Sequence, residues 1–203
     1  MIIDARAGEL RRHLQVATRD VHTRLDSALD LLRAPPEQTR FVHLLERFHG
    51  FHRGWETALV ARLAGDAAWL VTRGRLLHIE ADLRALGRND CEIACLPICP
   101  GANALCADEA AALGSLYVME GSTLGGKVIA RHVAHAAWYP LAGLTYFDPY
   151  GAHTAARWHE IVIRLDAVPH QQWPAVELGA IATFAWLESW LPASIAAPGE
   201  AGR

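Results

Sequence analysis

The sequence predicts an all-α fold, a single helical domain over residues 1–203, and three observations predict it. Apolar residues recur at three- and four-residue spacing along most of the chain. Valine and isoleucine are scattered among alanine and leucine instead of gathering in alternating runs, and no Asn-Gly or Asp-Gly hairpin signal occurs. With 52% hydrophobic and 20% charged residues over 203 positions, the chain can bury one sizeable core.

Leu10, Leu14, Val21, Leu25, Leu29 and Leu32 give an amphipathic first helix that ends before Pro35-Pro36. Pro36 suits the first turn of a second helix, which carries Phe41, Leu44, Leu45, Phe48 and Trp55 and is closed by Gly65. A third pattern runs through Leu70, Leu76, Leu77, Ile79 and Leu83 and stops near Gly87. Residues 89–103 read as loop. A long apolar-periodic stretch follows from about Leu105 to Trp138, interrupted by glycines, and two further helices fit 154–167 and 175–191. The total is six or seven helices, with a frayed tail over 197–203.

The net charge of −3 gives no sign of a nucleic-acid partner, which would normally leave a basic excess. No stretch of 18 uncharged apolar residues free of Pro and Gly occurs, so no membrane span is expected. Residues 1–12 mix Asp4, Arg6, Glu9 and Arg11 and lack the apolar core of a secretory signal. Cys91, Cys95, Cys99 and Cys106 are then expected as reduced thiols, their spacing matching no common zinc pattern. A cytoplasmic monomer is the expectation.

Two segments carry candidate chemistry. His22 follows Thr18 by four residues and precedes Leu25, Asp26 and Leu29 by three, four and seven, so its imidazole sits on the margin of an apolar stripe. A neutral imidazole there can ligate a metal, with Asp26 a candidate to orient its second nitrogen. By itself this also describes an ordinary structural histidine. The run Leu116-Tyr117-Val118-Met119-Glu120-Gly121-Ser122-Thr123-Leu124-Gly125-Gly126-Lys127 places three glycines within six positions of a helical pattern. Each costs roughly 1 kcal/mol relative to alanine. Gly121 and Gly125 have the spacing of a close helix–helix contact; equally, bare backbone can lie against a flat ligand. Spacing does not decide between these.

Together the two segments resemble those of bacterial biliverdin-producing haem oxygenases. Residues 14–26, LQVATRDVHTRLD, resemble the family's proximal helix, and residues 117–126, YVMEGSTLGG, its kinked distal helix over the haem. Tyr146-Phe147-Asp148-Pro149-Tyr150-Gly151 with Trp158, and the segment 182–191 with Phe184, extend the match along nearly the whole chain. The resemblance implies that haem is both cofactor and substrate, cleaved with dioxygen to biliverdin, ferrous iron and carbon monoxide. It makes His22 the iron ligand and sets Gly121 and Ser122 beside the reacting oxygen. Gly125 and Gly126 would keep the distal helix close to the macrocycle, and Tyr117 would bond a propionate. Thr18, Asp26, Lys127 and Phe184 complete the implied haem contacts. Ser122 replaces the aspartate of animal members, as in bacterial ones, and Gln15 stands where the animal members carry a propionate lysine. Arg11, Arg12, Arg19, Lys127 or a later arginine would therefore hold the propionates. No Rossmann fingerprint occurs, so electrons are expected from a separate reductase or ferredoxin.

Other readings of the residues are a haem carrier or sensor without turnover, a plain helical module, and a di-iron oxidase. The last rests on Glu46 and His49, whose Glu-x-x-His spacing has no second copy.

Overall fold

The structure is a computed structural model and describes residues 8–33 and 36–191, among which nine α-helices occur and no strand. Helix α1 (Glu9–Ala17) and α2 (Arg19–Leu29) replace the single first helix expected from the sequence. They part at Thr18, whose φ of −97° and ψ of 0° leave the helical region. Its hydroxyl donates to the Leu14 carbonyl at 2.7 Å, a local bond that competes with the regular ladder. Helix α3 (Gln38–Arg62) starts after an extended Glu37, so Pro36 lies outside it, and it ends before Gly65 at Arg62. It buries Phe41, Leu45, Phe51 and Trp55.

The expected third helix is two, α4 (Ala67–Val71) and α5 (Leu76–Ala85), parted by a turn in which Arg73 and Arg75 are buried. Inside the segment read as loop lies α6 (Asp90–Ala94), started by a capping box in which the Asn89 side chain accepts from Glu92 N at 3.0 Å. A 3₁₀ turn covers Ala102–Cys106. Helix α7 (Glu109–Val133) runs unbroken through its glycines; the expected interruption does not occur. Asp108 caps it by accepting from Ala111 N at 2.8 Å. Helices α8 (Thr154–Asp166) and α9 (Trp173–Trp190) stand within two residues of expectation. The tail 197–203 lies outside the described residues.

The two central helices, α7 and α9, cross at glycines that the sequence reading did not single out. A Cβ on Gly114 would lie 2.1 Å from the Val176 carbonyl oxygen, and one on Gly179 would lie 2.6 Å from that of Ala111. Only hydrogen at both positions lets the backbones approach so closely. Helix α9 also packs on α1 and α2. That arrangement holds α2 and α7 on either side of a gap with α9 as its back wall. No helix among the described residues is long and apolar enough to cross a membrane.

Candidate functional site

The gap between α2 and α7 is a cleft of about 320 Å³. From the α1–α2 side it is lined by Arg11, Gln15, Thr18, Arg19, His22 and Thr23, from α7 by Tyr117, Val118, Gly121, Ser122 and Leu124, and beyond these by Trp158 and Phe184. The two sequence segments, a hundred residues apart, thus face each other.

His22 is held by local geometry. Its ring meets Phe184 edge-on, 5.4 Å between centroids and 81° between planes, and its Nδ1 stands 3.5 Å from Asp26 Oδ2 one helical turn on. The imidazole is 55% exposed, and Asp26 lies on the solvent side. Beside it, Arg24 reaches α9 with paired bonds of 3.2 and 3.3 Å to Glu188. His13 Nε2 lies 2.5 Å from Glu177 Oε2. Both contacts anchor the α1–α2 segment to α9. Thr18 is buried, and burial pushes the Tyr117 phenol up, against the pull of Thr18 and Arg11.

On α7, the glycines divide by duty. A Cβ on Gly125 would meet nothing within 4 Å, and one on Gly121 would make only ordinary contact with Trp158 at 3.5 Å. Neither brings a second helix close, so the helix-contact reading of that pair does not hold. Gly126 faces away from the cleft: a Cβ there would lie 2.2 Å from the Phe147 carbonyl oxygen. It seats the 144–150 loop, which Asp82 pins by accepting from the backbone N–H groups of Thr145 and Tyr146 at 2.8 Å each. Lys127 also turns from the cleft, its Nζ donating to the Gly151 carbonyl at 2.6 Å.

Ser122 joins the cleft to a buried polar cluster. Its hydroxyl donates to Met119 O at 2.7 Å and accepts from Arg75 Nη1 at 3.1 Å. Arg75 also donates to Met119 O and, through its backbone N–H, to Glu56 Oε1 at 2.8 Å. His52 lies 2.8 Å from that same carboxylate oxygen through Nδ1, and its Nε2 is 3.2 Å from the Tyr146 hydroxyl. Burial lowers the His52 pKa, against the Glu56 bond that would raise it, so the ring is neutral: Nδ1–H donates and Nε2 accepts. None of Arg75, Glu120, Glu56 or His52 was foreseen as a site residue. Only Glu120 left a signal, as a lone acid in the apolar run before Gly121.

A larger cavity, about 420 Å³, lies on another face of α7, lined by apolar residues such as Trp55, Leu59, Leu70 and Leu116 and also by Glu56, Arg73, Arg75 and Glu120. It presents no exposed imidazole. Of the other metal candidates, Glu46 is bound by Arg88 at 2.7 Å and His49 Nε2 lies 3.6 Å from Glu80. No cluster of three metal-ligating side chains occurs among the described residues. All four cysteines are free; burial pushes the Cys106 thiol up to about 12, while Cys91 and Cys95 are exposed.

The family model described as "Heme oxygenase" matches residues 8–190. The chain belongs to the haem oxygenase family. A curated "Heme oxygenase" of Xanthomonas campestris pv. campestris (strain 8004) is 34% identical over 49% of this chain, and the match spans 60% of that protein's length. The solved "Structure of Heme Oxygenase from Leptospira interrogans" shares the fold with a TM-score of 0.75, covering 89% of this chain and 97% of that one at 15% identity.

Proposed function

We propose that this chain binds haem in the α2–α7 cleft and, with dioxygen and electrons from a separate reductase or ferredoxin, opens it to biliverdin, ferrous iron and carbon monoxide. The observation that carries this is one imidazole on α2 facing bare α7 backbone across a cleft, in a chain of this family. The residues present suit a flat, largely apolar ligand with two carboxylates. Gly121 offers backbone without a side chain, with the open position of Gly125 one turn on, Leu124, Val118 and Phe184 offer apolar contact, and Arg11 and Arg19 offer cations. When bound, haem supplies the iron at which dioxygen is activated.

The chain's own residues have separable tasks. With Nδ1 turned towards Asp26, His22 has Nε2 left for the iron. Phe184 limits rotation of that ring. Arg11, Arg19 and the Tyr117 hydroxyl take the propionates, fixing the haem's rotation and so the meso carbon attacked. Lys127 could join them only by leaving Gly151. Because the Ser122 hydroxyl already donates to Met119 O, its remaining lone pair can only accept. A water on it is therefore aligned with one proton towards Ser122 and the other free for the reacting side.

The test is to add haemin to the purified protein, supply reductant in air, and follow the haem bands while assaying biliverdin and carbon monoxide. Loss of the bands with both products is expected. A stable haem spectrum without bile pigment would make the protein a carrier or sensor.

A further inference from the structure

Behind Ser122, the buried polar cluster forms a ladder of alternating charge that leads from the cleft wall to solvent. Arg75 is 4% exposed and lies against Ser122. Its next neighbour is Glu120, 2% exposed, whose Oε1 stands 3.8 Å from Arg75 Nη2 and accepts from the Tyr150 hydroxyl at 2.9 Å. Arg73, 4% exposed, donates to Glu120 Oε2 and, at 2.6 Å, to Glu160 Oε2, where the ladder meets water. Trp69 stacks under the Arg73 guanidinium at 3.9 Å and donates to Glu160 at 2.7 Å. From α3, Glu56 and neutral His52 face Arg75; from α8 and the loop before it, Arg157, Tyr150 and Tyr146 complete the surroundings.

A ladder of this kind is a costly feature in a core. Replacing one member strips a buried neighbour of one of its charge partners. Arginine holds its proton at all relevant pH, so the ladder cannot pass protons along. What it can do is hold one guanidinium rigidly against the cleft and set how much of its charge the cleft senses.

We infer that Glu120 and Arg73 are positioning residues that tune, with opposite sign, the positive potential that Arg75 projects through Ser122 onto the oxygen side of the bound haem. The inference rests on the haem-cleft reading above. Removing the Glu120 charge leaves Arg75 without its nearest counter-charge and favours an anion in the cleft; removing the Arg73 charge leaves Glu120 to offset Arg75 alone and disfavours one.

Ferric haem reports this potential through the pH midpoint of its acid-to-alkaline spectral change, as coordinated water becomes hydroxide. In haem-loaded protein, Glu120→Gln is expected to lower that midpoint by about one pH unit, the scale of one charge across a partly buried gap. Arg73→Gln is expected to raise it, and Glu120→Asp to stay close to wild type. Apoprotein melting curves are recorded alongside. A shift of the same sign in Glu120→Gln and Arg73→Gln, or no shift in either, overturns the inference. Should one variant not fold, Glu160→Gln, at the solvent end, is expected to lower the midpoint by a smaller amount, and no shift there counts against the ladder. If wild-type protein forms no haem band at all, the cleft reading falls and this inference falls with it; a normal band with unmoved midpoints sinks this inference alone.

Discussion

Two pairs of glycines on or against α7 have identical chemistry and opposite surroundings. Gly114 and its partner Gly179 are pressed against carbonyl oxygens of the facing helix, where a Cβ would come within 2.1 and 2.6 Å. Gly121 and Gly125, seven and eleven residues further on from Gly114, have no backbone near them. The first pair lets two core helices cross. The second contributes nothing to packing that alanine would not, yet each costs the helix roughly 1 kcal/mol of propensity. A cost without a packing return points to the cleft that Gly121 lines.

The largest effect that separates the pairs is on stability. Gly114→Ala forces backbone apart, because the atom in its way is a carbonyl oxygen and not a movable side-chain end. A loss of about 3 kcal/mol is expected, at the upper end for overpacked cores. It is checked by urea unfolding of the apoprotein; an unchanged midpoint would mean the two glycine pairs do not differ.

Gly125→Ala should act in two directions at once. Apoprotein stability is expected to rise by up to about 1 kcal/mol, since nothing lies within 4 Å of the new methyl group. Haem affinity is expected to fall about tenfold as that methyl meets the macrocycle, an effect of about 1.4 kcal/mol. Absorbance titration and melting of the same sample measure both, and a gain in both would show that the cleft face of α7 does not touch haem.

A smaller effect concerns the buried histidines of α3, away from the cleft, and comes from pH. Burial lowers the pKa values of His52 and His49. The unfolded chain therefore takes up protons near pH 6.5 that the folded one refuses. Stability should be full above about pH 6.5 and fall below it, by up to about 1.4 kcal/mol per pH unit for each histidine, until the folded pKa is reached. Glu56, whose carboxyl His52 and Arg75 hold below its usual range despite burial, adds to the same trend at lower pH. Unfolding midpoints at pH 7.5 and 5.5 measure the slope, and His52→Gln should flatten it. An equal slope in that variant would remove His52 from the account.

Much of this was legible in the sequence. The all-α class followed from spacing alone, and α8 and α9 stand almost where periodicity placed them. The misplaced boundaries have local causes: the Thr18 side-chain bond splits the first helix, and burial of Arg73 and Arg75 turns the chain between α4 and α5. Helix spacing and the cost of the glycines singled out His22 and Gly121 as candidates, the family resemblance paired them, and both line the same cleft. The duty of each glycine was not legible, since it depends on what the rest of the chain brings opposite: Gly114 sits unremarked among alanines, and Gly126 serves a loop twenty residues on. Arg75 was equally hidden. An arginine in a turn reads as surface, and only the assembled core shows its buried guanidinium bonded to Ser122 behind the cleft wall.

The central claim is that His22 holds a haem against the bare face of α7, and the ferric haem spectrum of wild type and His22→Ala tests it most directly. Wild type should bind haemin one to one with the bands of an imidazole-ligated iron. His22→Ala should lose that signature and regain it on addition of free imidazole. An unchanged spectrum in the variant would place the ligand elsewhere and contradict the account.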